Sequence, residues 1–377
     1  MSWPVPKIPA KAVVPPPDYK CWGIILLVMA LTGALLAVFP GKATSYSQTL
    51  LYGMLPAILL WICFFGLTFH RYEKSVNAAL LWNEETERTK QHWQRWSRKQ
   101  QIVVGNVILT PEEKGVEALL GNPCGIPAYP EKARPLFADL SGLDERLKFI
   151  DQETEKQYPG YRHHLSKIVV QYQEKYQRET IEKAVYKKWD LFPEYSDASQ
   201  SFYADADADA DAENEMGGLI LLLCLQDWAG SQAENFSEFI SAQLIISGRF
   251  VSQNALPAVA GVGRILSSDS LTGALDMLSE YNRLGKESIR YVWLSGLDAD
   301  ERTRLVQYVI SKQWPLPERH PLISLDHSFG PPGPLMFPVV ISLLTDAAKH
   351  NGEMQLFIFR SENNMYSLCL ITRELFL

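Results

Sequence analysis

The feature that most constrains this 377-residue chain is a pair of long apolar runs near its N-terminus. Residues 21–39 contain no Asp, Glu, Lys or Arg, and the same holds for residues 43–69. Each run approaches the roughly 20 residues that a helix needs to cross a bilayer. One such run is also typical of a signal peptide or a core helix, but a second run after a short turn argues against a cleaved signal. We therefore predict a transmembrane hairpin over 21–69, with spans at 21–39 and 50–69.

The distribution of lysine and arginine predicts the orientation of this hairpin. Three lysines precede the first run within residues 1–20, whereas the connecting turn contains only Lys42. Seven basic residues follow the second run between Arg71 and Lys99. Because basic residues favour the cytoplasmic side, we expect a multi-pass membrane protein with both termini in the cytoplasm and the short turn outside.

Composition divides the rest of the chain into segments. Residues 1–20 are proline-rich, which favours an extended cytoplasmic tail, and residues 70–101 contain no Pro or Gly, which favours a juxtamembrane helix. Residues 203–216 alternate Asp with Ala, so they concentrate like charges and bury little apolar surface. We predict an acidic low-complexity linker there. It separates a helical or α/β first half of a soluble body, residues 102–202, from an α/β block, residues 217–377.

Charge and cysteine spacing exclude several function classes. Six of the seven net negative charges come from the acidic linker, and no basic excess indicates a nucleic-acid surface. The five cysteines form no C-x-x-C pair, so neither a zinc motif nor a redox motif is present. His163 and His164 are adjacent and would diverge on a helix, so a solvated pair is the better interpretation. We predict no cofactor, no metal site and no nucleic-acid partner.

The last 160 residues follow an alternation of strands and helices. "SIRYVWLSG" is typical of a strand and is followed by a helix beginning near Asp298; "PLISLDHS" predicts the next strand, with His327 in the turn after it. A glycine–proline loop then leads into a helix with Pro338 in its first turns, and a hairpin from Met354 ends the block. Strands alternating with helices indicate an α/β sheet.

This order resembles the C-terminal half of thiolase-like proteins, the β-ketoacyl synthases in particular, over about residues 255–373. The matching positions are Ser295–Gly296 with the acidic helix start after them, the hairpin, and the His-x-x-Gly-x-x-Gly segment His327–Ser328–Phe329–Gly330–Pro331–Pro332–Gly333. The resemblance implies a thiolase-like α/β body. In that family the histidine works with a nucleophilic cysteine of the other half and with a second histidine in the turn after the preceding strand.

This chain departs from that pattern at the residues that carry the chemistry. The turn "SGLDADE" has no histidine, Cys224 lies within an apolar strand, and Cys124 lies in a loop without a neighbouring base. We therefore predict a degenerate, non-catalytic body in which His327 is a turn residue hydrogen-bonded by Asp326. The alternative is an enzyme that acts on acyl groups or lipids at the membrane surface, with His327 and Cys124, or a serine such as Ser328, as its catalytic residues.

A short N-terminal hairpin carrying a large α/β body also resembles the accessory and effector-loading proteins of bacterial type VI secretion systems. That layout implies an inner-membrane scaffold or adaptor whose partner is a secreted effector, for example a lipase. A third interpretation is an immunity-type protein whose hairpin blocks a membrane-acting toxin. For that role the hairpin without the soluble body would be sufficient.

Overall fold

The computed structural model divides into two compact units, Pro6–His92 and Met1–Val5 with Trp93–Leu377. It describes residues 3, 5–39, 45–120, 125–129, 132–138, 140, 142–173, 176–196, 218–228, 235–246, 258–285, 289–317, 320–331, 333–361 and 363–374. The acidic linker predicted at 203–216 and Cys124 lie outside the described residues.

The first unit contains two long apolar helical segments. Helix α1, Tyr19–Val38, begins at Asp18, whose side chain accepts hydrogen bonds from the backbone N–H groups of Lys20 and Cys21. Helix α2, Tyr46–Thr49, continues through a π-helical turn, Leu50–Met54, into α3, Leu55–Ser97, which runs into the second unit. Both segments are long and apolar enough to cross a membrane, and only 6% of each apolar window is buried.

Small residues allow the backbones of these two helices to approach closely. A Cβ atom on Gly33 would lie 2.5 Å from the Gly53 carbonyl oxygen, and one on Gly53 would lie 2.5 Å from the Gly33 carbonyl oxygen. A Cβ atom on Gly33 would also meet Ala57, which follows Gly53 by four residues, and one on Gly53 would meet Ala37, which follows Gly33 by four residues. This small-xxx-small pattern is the usual way in which two helices pack backbone to backbone in a bilayer.

The proline-rich segment before α1 is extended and lies along α3. The Val14 N–H donates to Ser75 Oγ at 2.8 Å, and the Trp82 indole N–H donates to the Pro9 carbonyl oxygen at 3.0 Å. An extended proline-rich chain makes no internal hydrogen bonds, so its polar backbone groups are available to the helix beside it.

In the second unit, the strands among the described residues form one eleven-stranded mixed sheet, ordered β3-β2-β4-β5-β1-β6-β11-β10-β8-β9 with β7 paired to β11. The strands are β1 (Gln101–Leu109), β2 (Leu165–Tyr172), β3 (Glu194–Tyr195), β4 (Leu219–Gln226), β5 (Phe239–Ile246), β6 (Ala260–Val262), β7 (Leu266–Ser268), β8 (Tyr291–Ser295), β9 (Leu322–Ser324), β10 (Gln355–Arg360) and β11 (Tyr366–Thr372). The helices of this unit after α3 are α4 (Glu117–Leu120), α5 (Leu143–Gln157), α6 (Arg178–Trp189), α7 (Leu271–Asn282), α8 (Ala299–Lys312), α9 (Leu325–Phe329) and α10 (Met336–Asn351), together with the 3-10 turn Tyr161–His164.

The two halves of this sheet repeat the same strand order. From the outer edge inwards, the strands of the first half lie in the order β3-β2-β4-β5-β1. Those of the second half, again from the outer edge inwards, lie in the order β9-β8-β10-β11-β6. When the strands of each half are numbered along the chain, the two orders are the same: third, second, fourth, fifth, first. In each half the second strand is parallel to the third and fourth, and the fifth is antiparallel to the fourth and first. The halves meet where β1 pairs with β6. Residues 102–196 therefore complete the sheet rather than form a separate fold.

Alternating side chains along the strands cover both faces of the sheet. On one face α5 and α6 pack against the first half, and α7 and α8 pack against the second half. On the opposite face lies α10, which is buried along nearly its whole length and contacts strands of both halves. A helix that is apolar on every side belongs in the interior, as the composition of "LMFPVVISLLTDAAKHNG" indicates.

Two sequence predictions in the first half are wrong. The charged pattern of residues 143–191 predicts helix on both sides of a break at "YPGYRHH", yet β2 lies between α5 and α6, because Ile168, Val169 and Val170 are β-branched and buried on both faces. The sequence Thr110–Pro111–Glu112–Glu113 predicts a helix start, but the helix begins at Glu117. The Thr110 side chain bonds the Glu112 backbone in a local turn, which competes with helix initiation.

A buried carboxylate joins the elements around β2. Asp151 of α5 accepts hydrogen bonds from the Tyr161 hydroxyl at 2.8 Å and from Arg162 Nε at 2.9 Å. Lys188 of α6 approaches the same carboxylate at 2.9 Å. Burial by itself raises the pKa of Asp151, but the hydrogen bonds from Arg162, Lys188 and Tyr161 outweigh it and leave the pKa below its ordinary value.

Candidate functional site

Three chain segments meet at the carboxyl ends of the parallel strands β8, β9 and β10. They enclose a groove of about 750 Å³, lined by Gly296, Gly333, Pro334, Phe359, Arg360, Ser361, Asn363 and Asn364. In open α/β sheets, ligands bind in the crevice at the carboxyl ends of the strands. We therefore take this groove and the segment around His327 as the candidate functional site.

Asp326 connects two of these segments. Its carboxylate accepts a hydrogen bond from the Ser295 hydroxyl at 2.6 Å and another from the Gly296 backbone N–H at 2.6 Å. Burial raises the pKa of the Asp326 carboxyl, although both hydrogen bonds oppose the increase. The carboxylate thus holds the end of β8 against the short helix α9. We call this arrangement the Asp326 clasp.

Glycine is required where the turn after β8 passes the end of β10. Gly296 has φ +76°, and a Cβ atom there would lie 2.5 Å from the carbonyl oxygen of Arg360. An L side chain would meet both a strained backbone conformation and a backbone clash. The groove therefore begins at a point where two backbones are in direct contact.

The glycine–proline loop is packed against the first half of the sheet. Gly330 has φ +90°, and a Cβ atom there would lie 2.5 Å from the Lys132 carbonyl oxygen; one on Gly333 would lie 2.4 Å from the Gln226 side chain. The Ser237 hydroxyl donates to the Phe329 carbonyl oxygen, and Gln226 Oε1 accepts from the Leu335 N–H at 3.0 Å. The loop is held by hydrogen bonds at both of its ends.

Arg360, which lines the groove, is paired with two carboxylates, one in α8 and one in the residue before it. Arg360 Nη1 lies 2.9 Å from a carboxylate oxygen of both Asp298 and Glu301, and Nη2 donates to Asn364 Oδ1 at 2.8 Å. Asp298 and Glu301 also form the capping box that starts α8, and the Tyr366 hydroxyl donates to Glu301. Hydrogen bonds to the Glu301 and Asp300 backbone and to Arg360 leave the pKa of Asp298 below its ordinary value. With one guanidinium group and two carboxylates, this cluster carries a formal net charge of −1.

His327 lies in α9 and is exposed. The turn predicted for it is a five-residue helix, and the predicted hydrogen bond between Asp326 and His327 is wrong, because the two Asp326 oxygens accept from the Ser295 hydroxyl and the Gly296 N–H at the end of β8. Its carbonyl oxygen accepts from the Tyr129 N–H at 2.7 Å, and its imidazole makes no hydrogen bond with any residue that the structure describes. Ser328 is adjacent and buried. The structure brings His327 to the site without a nucleophile in contact with it among the described residues.

Two cysteines of the body are described, and both are buried. Cys224 lies in β4 and Cys369 in β11, and burial raises the pKa of both thiols, for Cys369 to about 12. An apolar environment disfavours the thiolate, which is the nucleophilic form. No group of three or more His, Cys, Asp or Glu side chains placed for a metal ion occurs in the described ranges. His163 and His164 are both exposed.

The residues that shape the site come from distant parts of the chain and were not predicted from the sequence. Asp326 and Ser295 are 31 residues apart, and Arg360 is 59 residues from Glu301, so neither pair leaves a local signal. The spacing Asp298-x-x-Glu301 is the sequence signature of a capping box and identifies the start of α8. Nothing in that signature indicates that both carboxylates also receive an arginine from the hairpin.

Comparisons with known proteins identify the fold. The sequence matches no protein-family model and no curated protein. A chain from a complex of a type II polyketide acyl-carrier protein with its ketosynthase aligns with a TM-score of 0.51 at 10% identity, covering 74% of this chain and 100% of that chain. Cerulenin-bound OleA of Xanthomonas campestris (TM-score 0.48, 9% identity) is covered over 98% of its length by 74% of this chain. The 3-oxoacyl-(acyl carrier protein) synthase III of Xanthomonas oryzae (TM-score 0.48, 8% identity) is covered over 99% of its length by 73% of this chain. The ketosynthase match confirms that this chain has a thiolase-like fold, and at this identity it concerns the fold alone.

Proposed function

We propose that this protein is a non-catalytic scaffold of thiolase-like fold that is anchored in a bacterial inner membrane and binds a protein partner. The Asp326 clasp is the observation that carries the proposal. In the β-ketoacyl synthases that the sequence resembles, the turn after this strand holds the second catalytic histidine. Here that turn is Ser295–Gly296, and Asp326 engages its hydroxyl and its N–H. The polar groups at this position hold the backbone together instead of facing a substrate.

The state of the buried thiol supports the same conclusion. Condensation by this family needs a thiolate nucleophile, and burial raises the pKa of Cys224 in the half opposite His327. Its raised pKa disfavours the reactive form at neutral pH. The sheet, the clasp and the packed loop are retained as a rigid body on which a partner can bind.

The long apolar helices support the anchor. Only 6% of each apolar window is buried, and large apolar side chains such as Leu36 and Leu67 are exposed, which is favourable in hydrocarbon and costly in water. We propose that α1 and the apolar part of α3 both cross the membrane and that both termini lie in the cytoplasm, as the lysine and arginine distribution predicts. A body on that side is suited to hold a cytoplasmic client before its export, so we propose a type VI secretion effector as the partner class.

Photocrosslinking from the groove tests whether the body is a scaffold. A benzoylphenylalanine at Asn364, which lines the groove, is expected to form a discrete protein adduct in cells that express the secretion system. The adduct should persist when His327 is changed to alanine. The same probe at the exposed Glu85 of α3 serves as the control. An enzyme would instead show acyl-thioester turnover by the detergent-solubilised protein that disappears in His327→Ala, and this result would refute the proposal.

Thiol labelling tests the orientation. The other four cysteines are replaced, Cys124 is retained, and an impermeant thiol reagent is added to intact cells with a permeable outer membrane and to lysed cells. Labelling only after lysis is expected for a cytoplasmic body. Labelling in the unlysed cells would place the body in the periplasm and would exclude the loading of a cytoplasmic client.

A further inference from the structure

An aromatic pair is exposed on the surface of the first half of the body. Tyr186 lies in the last turn of α6 and is 44% exposed, and Phe192 follows that helix and is 66% exposed. Asp190 ends the helix in the left-handed conformation, with φ +56°, and turns the chain so that the two rings stack with centroids 4.6 Å apart. The pair presents flat apolar surface to solvent.

A small pocket adjoins this aromatic pair. Its volume is about 200 Å³, and it is lined by Glu179, Glu182, Lys183, Tyr186 and Phe192. The two glutamates lie one and two turns before Tyr186 on the same helix, so their carboxylates stand beside the rings. We call this pocket with its aromatic pair the α6 socket.

The charges around the α6 socket are not balanced within the described chain. The carboxylates of Glu179 and Glu182 make no hydrogen bond or ion pair with any residue that the structure describes. The two following lysines of α6 are engaged elsewhere, Lys187 with Asp144 at 3.1 Å and Lys188 with Asp151 at 2.9 Å. Among the described residues that line the socket, Lys183 provides the positive charge.

A third carboxylate extends this acidic surface. Asp190 follows Tyr186 by four residues, and the interaction with its carboxylate raises the pKa of that tyrosine. The socket itself combines two ring faces with two carboxylates and one ammonium group, and Asp190 adds a carboxylate beside it. This combination is complementary to a cation that is flat and weakly hydrated, and it offers little to an anion or an aliphatic side chain.

We propose that the α6 socket receives an arginine side chain of a protein partner. A guanidinium group stacks on aromatic faces and donates paired hydrogen bonds to carboxylates, and both kinds of group are present here. A lysine ammonium would gain the charge attraction but neither the stacking nor the paired hydrogen bonds. The assignment of the arginine to a partner rests on the proposed scaffold function, whereas the binding of a guanidinium group by the socket does not.

The binding test uses the full-length protein in detergent micelles with 4-fluorophenylalanine at Phe192 as a ¹⁹F reporter. N-acetylarginine methylamide is titrated and compared with the lysine and citrulline analogues. Citrulline has nearly the same shape as arginine without the charge. We expect a saturable ¹⁹F shift with the arginine compound at millimolar concentration, at least about threefold weaker binding of the lysine compound, and no saturation with citrulline.

Variants locate the binding. Glu179→Gln combined with Glu182→Gln should weaken arginine binding at least about tenfold, whereas Glu113→Gln, an exposed carboxylate outside the socket, should leave it unchanged. Unchanged circular dichroism and thermal unfolding establish that the variants are folded. Equal shifts with arginine and citrulline, or equal affinities in the double variant and the wild type, would overturn the proposal.

The two proposals fail separately. If the arginine compound binds but no protein is crosslinked from Asn364, the α6 socket stands and the scaffold function does not. If a partner is crosslinked and the arginine compound does not bind, the socket assignment is wrong and the scaffold function stands. If both results are positive, the same glutamate double variant should reduce the yield of the crosslinked partner.

Discussion

Replacing Gly330 with alanine tests whether the glycine–proline loop is fixed as the structure indicates. Gly330 has φ +90° and ψ −174°, a backbone region that is essentially restricted to glycine. A Cβ atom there would lie 2.5 Å from the Lys132 carbonyl oxygen and 3.1 Å from Ser237 Oγ. The nearest obstacle is backbone, so it has no flexible side chain that can turn aside.

The expected loss follows from three contributions. Alanine in this conformation costs about 1–3 kcal/mol of backbone strain. Moving the loop away from Lys132 breaks the buried hydrogen bond from Ser237 to Phe329, which costs about another 1–3 kcal/mol. Loss of glycine's freedom in the unfolded chain offsets about 0.4–1 kcal/mol. We expect Gly330→Ala to lower the free energy of unfolding by roughly 3 kcal/mol.

Urea unfolding of the detergent-solubilised full-length protein, followed by tryptophan fluorescence, measures this loss. The transition midpoint should fall while the slope stays constant, because the surface exposed on unfolding is the same. Gly142→Ala is the matched control. Gly142 has φ −150°, and a Cβ atom at this position would have no other atom within 4 Å. A Gly330→Ala variant within about 0.5 kcal/mol of the wild type would show that the loop relaxes freely and that our argument for a rigid site is wrong.

Two further substitutions test the hairpin and the buried carboxylate. Gly33→Leu should separate α1 from α3 and lower the melting temperature of the helical signal in micelles; Gly66→Leu, at an open position, should leave it unchanged, and equal effects would contradict close packing. Asp151→Asn should cost about 1–3 kcal/mol at pH 7, less than a fully buried pair because the Arg162 side chain is 46% exposed. The pKa of Asp151 is lower in the folded state than the value of about 3.9 in the unfolded chain. The ionised carboxylate therefore stabilises the fold above that pH, and this stability is lost as the pH falls through the folded-state pKa. Urea midpoints should therefore converge for wild type and variant below about pH 4, and a constant difference would refute the linkage.

Much of the second half of the fold follows from local sequence. Ser270 caps α7 and Asp298 caps α8, as expected for residues whose side chains satisfy free N–H groups at a helix start. The hairpin of β10 and β11 and the buried helix α10 also follow the sequence pattern. These elements are recognisable because their apolar period and their terminal residues agree.

The first half is harder to predict because its decisive contacts are distant. Strand β2 lies within a charged stretch, and only the pairing of β2 with β4, about 50 residues away, gives "KIVVQ" its role in the sheet. His327 illustrates the same limit within the site. The adjacent Asp326 suggests a local hydrogen bond, but the carboxylate is used by Ser295 and Gly296 instead. A neighbour in sequence does not outcompete well-placed donors from another strand.

By itself, the sequence determined the two apolar helices and the α/β character of the body, because hydrophobic period and helix caps act over a few residues; the order of the second half was recognised through its resemblance to thiolase-like proteins. Only the tertiary structure decided that the first half repeats the same strand order and that Asp326 forms a clasp. It also decided that Arg360 bridges two carboxylates and that Tyr186 and Phe192 stack beside two glutamates that have no hydrogen-bond or ion-pair partner among the described residues. These features depend on which segments the sheet brings together, and strand pairing across tens or hundreds of residues leaves no periodic trace in the chain.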